Sequence, residues 1–181
     1  MKSTAILLAL AGIVLAGAPS QARTWNPQGV TLAQDYSVIV DNRPNKEIVM
    51  LMWLSSPLVQ NSPTAQALLD KYIILGVVHG KQDVGGKVDF DSQLSLTAKD
   101  SQGSALKSIS GDQVPPTVQA AVVAFGGVMK QSLGAMGQGM QFFVFEAGDN
   151  LRACGSKGRL TASFAGTDYT YDTPIPGCPA P

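Results

Sequence analysis

Apolar residues recur along this chain at two different steps, and the step changes several times. A strand shows its faces alternately, at a period of two. A helix returns to the same face every three or four residues. Tyr36, Val38 and Val40 fall on one face of an extended segment that ends the stretch Val30 to Asp41. The cluster Asp41-Asn42-Arg43-Pro44-Asn45 follows, with short polar side chains and a proline that fixes φ, which is turn chemistry. Ile48 to Leu54 is a continuous apolar run bounded by turn residues, the pattern of a strand buried on both faces. The two segments read as a hairpin.

Ser62-Pro63 has the form of a helix start, serine as N-cap and proline at the first helical position, for a short helix over Thr64 to Asp70. Tyr72 to His79 is a second core strand, broken at Gly85-Gly86. Val88, Phe90, Leu94 and Leu96 suggest one further strand with a bulge at Ser92-Gln93. Lys99-Asp100-Ser101-Gln102-Gly103 reads as a hairpin turn, with Leu106 and Ile109 beginning the return strand. After Pro115-Pro116 the residues Val118, Val122, Phe125, Met129 and Leu133 recur at helical steps. They predict a helical crossover at about 116–134, weakened or broken at Gly126-Gly127 and ended by Gly134, Gly137 and Gly139. Met140 to Glu146 is the strongest aromatic strand. Leu160 to Phe164 and Asp168 to Tyr171 form a final hairpin through Ala165-Gly166-Thr167.

Short strands linked by hairpins, with one helical insertion, predict a mainly β fold: an antiparallel two-sheet β-sandwich, immunoglobulin-like in architecture. The Cys–Trp–Cys order of antibody domains is absent, because Trp53 precedes both cysteines. No repeat of 20–50 residues suggests a solenoid or a propeller.

The N-terminus changes the domain picture. Lys2, an uncharged apolar run from Ala5 to Ala18 and small residues in Ser20-Gln21-Ala22 are the parts of a removable export signal over residues 1–22. The run is shorter than the roughly 20 residues a membrane span needs. Residues 23–181 then form a single β-sandwich domain in the periplasm or outside the cell, with no membrane span. In an oxidising compartment Cys154 and Cys178 are expected to pair, closing a loop of about 25 residues and contributing roughly 3.5 kcal/mol. Two free thiols, or a metal pair short of ligands, are the alternatives.

Lys plus Arg and Asp plus Glu number 13 each, and charged residues are 14 % of the chain. That balance gives no basic field for nucleic acid. The 45 % hydrophobic content excludes a disordered chain.

Candidate chemistry is sparse. His79, the sole histidine, ends an apolar strand. As a general base or metal ligand it needs partners that no local motif supplies, and it reads as a strand-end side chain facing solvent. Asp89 and Asp91 would share one strand face about 6–7 Å apart. That spacing could serve an acid–base pair, or a calcium site completed by Asp83, but two like charges on an exposed strand face need no such role. Glu47 and Glu146 are the only glutamates. The glycine runs match no phosphate-binding motif. Met129, Met136 and Met140 cluster around the glycine-rich stretch and could offer soft ligands to copper, but Met50, Met52 and Met129 also fit core positions. The crossover is expected to close one end of the sandwich as core; lying outside the sandwich instead, segment 122–140 would offer an apolar patch to another envelope protein.

The chain is therefore expected to be an exported, non-catalytic binding or accessory module of the bacterial envelope or secreted space, with no cofactor. The alternatives are a hydrolase using Asp89/Asp91 or His79, and a structural subunit that associates by strand addition.

Overall fold

The computed structural model describes residues 37–42, 46–54, 62–148 and 160–171. Residues 1–22, Cys154 and Cys178 lie outside the described residues, as do the expectations that rest on them. Two antiparallel sheets carry the fold, so the chain is mainly β and consistent with a two-sheet sandwich. No helix among the described residues is long and apolar enough to cross a membrane.

β1 (Ser37–Asn42) pairs with β2 (Glu47–Leu54) in the expected hairpin, closed by Asn42 opposite Glu47. Helix α1 (Pro63–Leu69) follows, capped by Ser62, whose hydroxyl accepts from the Ala65 amide at 3.4 Å. β3 (Tyr72–Gln82) then returns antiparallel to β2, with Met50 opposite Val78. The second edge of β3 is shared. β7 (Gln141–Glu146) lies along its first half, from Tyr72 to Val77. β4 (Val88–Phe90) lies along its last three residues, Gly80 to Gln82. β6 (Ser108–Ile109) completes this larger sheet beside β7.

The smaller sheet contains β5 (Leu96–Lys99), β8 (Leu160–Phe164) and β9 (Thr167–Tyr171), in that order. β8 and β9 are joined through Ala165 and Gly166, both at positive φ, 49° and 78°. Two such residues make the hairpin turn whose twist suits antiparallel strands.

The segment Val88 to Ile109 departs from the expected single bulged strand and return hairpin. β4 belongs to the larger sheet, β5 to the smaller, and β6 to the larger again. Between β5 and β6 only the bridge of Lys99 with Ala105 survives of the hairpin. The alternation of apolar residues reads the same for one bulged strand as for two short strands in different sheets, and of Phe90 and Leu96 only Leu96 reaches the core between the sheets.

Helix α2 (Pro116–Leu133) occupies the predicted crossover. It runs unbroken through Gly126-Gly127, which are helical in context despite their intrinsic cost of about 1 kcal/mol each. Gly126 faces the Phe142 ring, where a side chain would press. The helix ends at Gly134, whose φ of 57° is open to glycine and unfavourable for other residues. The short α3 (Ala135–Gln138) folds back so closely that a methyl group at Gly137 would overlap the Met129 carbonyl.

The larger sheet is buried on both faces. Val49, Leu51, Ile73, Leu75, Val77 and Phe145 point toward the smaller sheet, meeting Leu96, Ala98, Leu160, Ala162, Phe164 and Tyr171. Leu54, Ile74, Ile109 and Val144 form a second core with Leu69 of α1 and Val118 of α2, flanked by Val122, Phe125 and Phe142. The crossover is thus not an end cap. It lies on the outer face of the larger sheet, a third layer, because β2, β3 and β7 carry apolar residues on both faces and the second face must also leave water.

Candidate functional site

A buried polar cluster is centred on His79, three residues before the end of β3. Its parity puts it on the same face as Leu75 and Val77, so it points between the sheets rather than into solvent. Its ring is 11 % exposed, which corrects the expected solvent-facing position. The Phe164 ring of β8 stands edge-on to the imidazole, with centroids 5.4 Å apart at 70°.

Each ring nitrogen meets a carboxylate. Nε2 lies 2.7 Å from Glu47 Oε1 and Nδ1 lies 2.6 Å from Asp91 Oδ2. Two pieces of register produce this. Val49 pairs with His79, so Glu47, two residues back on the same face of β2, stands diagonally beside it. Gly80 pairs with Phe90, so the next residue out, Asp91, falls opposite His79, and the Asp91 amide donates to the His79 carbonyl at 3.0 Å. The Asp91 carbonyl accepts from Gln141 Nε2 at 2.8 Å, which ties this strand end to the start of β7.

The two aspartates that the sequence pairs are drawn apart. Asp91 goes to His79, whereas Asp89 accepts from Lys87 Nζ at 2.8 Å on an exposed surface. The Asp89 carboxylate holds the Lys87 ammonium above its ordinary pKa. Asp83 turns inward on its own loop, accepting from the Gly85 and Lys87 amides. Among the described residues no group of three or more His, Cys, Asp or Glu side chains converges as a metal site would. In the His79 cluster this follows from geometry: the carboxylates lie at opposite ends of the ring and cannot share one ion with it.

The arrangement ties three segments of chain together, the start of β2, the end of β3 and the residue that follows β4. Neither ring nitrogen is turned toward a serine hydroxyl, since both are taken by carboxylates. Sequence reasoning missed the cluster because Glu47 stands 32 residues before His79. The link to Asp91 was within reach, since a hairpin centred on Gly85-Gly86 sets the two opposite each other.

A second feature lies on the helical layer. Val123 is 74 % and Val128 53 % exposed, with Ala120, Ala124 and Gly127 exposed around them. Lys130 is the single charge in the 18 residues of α2. A helix face turned to water ordinarily carries charges. No protein-family model matches the chain, and neither the curated proteins nor the solved structures give a match.

Proposed function

We propose that this chain is an exported, non-catalytic binding or accessory module of the bacterial envelope or secreted space, and that it engages another envelope protein through segment 122–140. The observation that carries the reading is the outer face of α2, apolar and almost uncharged on the side away from the sheet. Apolar surface gathered on one element, rather than scattered singly, is what a docking face offers. The non-catalytic part is supported by the occupation of both His79 nitrogens and by the separation of Asp89 from Asp91. Export is supported by Lys2 and the apolar run that follows it.

A photoreactive side chain at position 123, against one at the exposed position 167 of β9, tests the reading in envelope extract of the source cells. An adduct with one protein at 123 and none at 167 is the expected result. The double change Val123→Lys, Val128→Lys should abolish that adduct from a probe at 120, while thermal unfolding stays within about 0.5 kcal/mol of wild type, as for other surface changes. Equal labelling at 123 and 167, or labelling at neither, removes the proposal.

A further inference from the structure

We propose that Met52, Met129 and Met140 form a thioether site for a soft monovalent metal ion of the Cu(I) class, in the layer between the larger sheet and α2. The site is centred on Gly76, which interrupts the apolar run of β3 with buried, bare backbone. Met52 of β2 pairs with Gly76 on one side, and Phe142 of β7 pairs with it on the other. Both side chains lie on the face that α2 covers. Met140, just before β7, reaches across this notch. Its Sδ stands 2.9 Å from where a Cβ of residue 76 would be, and the Phe142 ring stands 3.3 Å from the same point. Directly paired strand residues hold their Cβ positions about 4.5–5.5 Å apart. The Met52 sulfur, one methylene beyond its own Cβ, therefore reaches the space beside the Met140 sulfur. Met129 brings the third thioether from above. It continues the sheet-facing series Val118, Val122 and Phe125 by one turn, and Gly126 already lies against the Phe142 ring.

The distribution of methionine supports a shared role. Met50 lies on this same face, opposite Val78 and one step along β3 from Gly76. Met136 belongs to α3, which folds against the Met129 backbone. The core between the two sheets, by contrast, contains no methionine among the described residues. Thioethers are neutral and polarisable, and they select Cu(I) over harder ions. The Phe142 ring adds an aromatic surface that attracts a cation without bringing a charge of its own. Met52, Met129, Met140 and Phe142 are each half-buried, so an ion reaches them without unfolding the chain. The site lies on the sheet-facing side of α2 and does not depend on the docking face proposed on its outer side.

The test is titration of the whole chain with Cu(I), kept reduced by ascorbate and followed by NMR of isotope-labelled methionine methyl groups. The signals of Met52, Met129 and Met140 should move together, and Zn(II) should leave them in place. This readout separates the site from capture of the ion by cysteine or histidine. Met52→Leu and Met140→Leu keep size and apolarity. In competition with a chromophoric Cu(I) chelator, each should weaken binding by about tenfold or more, no less than the loss of an outer-shell partner costs a metal site. Gly76→Ala removes no ligand atom but sets a methyl group against the Met140 sulfur, and it should weaken binding as well. A role in packing alone predicts that the leucine variants bind as wild type does. That result, or methionine methyl signals unmoved by Cu(I), overturns the proposal. Should a variant fail to fold, the wild-type methyl signals still decide.

Discussion

Tyr171 closes β9 with its side chain 2 % exposed, in the core between the sheets and edge-on to Trp53 at 5.9 Å. Its hydroxyl is buried and has no hydrogen-bond partner among the described residues. Stripping a hydroxyl of water without replacing the bond costs about 1–3 kcal/mol. Tyr171→Phe keeps the ring and its contact with Trp53 and removes only the oxygen. The void left, on the order of 10 Å³, costs about 0.25 kcal/mol at 24 cal/mol per Å³. The variant should therefore be more stable at neutral pH by about 1 kcal/mol, raising Tm by roughly 3 °C.

A second signature appears in alkali. Burial pushes the Tyr171 phenol well above its ordinary pKa, so the folded chain keeps the proton that the unfolded chain loses near pH 10. A raised folded-state value means stability is intact below pH 10 and lost as pH rises above it. By pH 11 this residue costs the wild type about 1.4 kcal/mol, and a phenylalanine costs nothing. Calorimetry or denaturant titration of both proteins at pH 8 and pH 11 should show the variant's advantage growing from about 1 to about 2.5 kcal/mol, these figures following from the same two terms. A variant less stable at pH 8, or an advantage that does not widen by pH 11, would refute the argument that the hydroxyl is buried without a partner.

Asp100, 5 % exposed, accepts from the Gln102 and Ser104 amides at 2.9 and 2.8 Å and so shapes the turn after β5. Asp100→Ala should lose about 2–3 kcal/mol in denaturant titration, with Asp100→Asn recovering part of it because an amide oxygen still accepts. At the α2–α3 elbow, Gly137→Ala sets a methyl group into the Met129 carbonyl. A loss of about 1–3 kcal/mol is expected there, and an unchanged urea midpoint would show that the elbow gives way freely.

The elements whose signals are local were legible in the chain. Ser62-Pro63 starts α1, and the Val118–Leu133 spacing finds α2 within a residue or two. The aromatic run finds β7, and Ala165-Gly166 turns β8 into β9. Such signals are read from neighbours in sequence, because caps, turns and face periodicity act over four residues or fewer. Three things were decided only by the tertiary structure. The chain steps from sheet to sheet between β4 and β6, since an apolar side chain is equally buried from either side of a sandwich core. The crossover helix forms a layer of its own, because how many faces of a sheet need covering depends on strand neighbours, which the strands themselves do not announce. His79 stands between Glu47 and Asp91 because strand register brings together residues 32 and 12 positions away. Periodicity tells a side chain which face it shares. Only the pairing of strands tells it which partner it meets there.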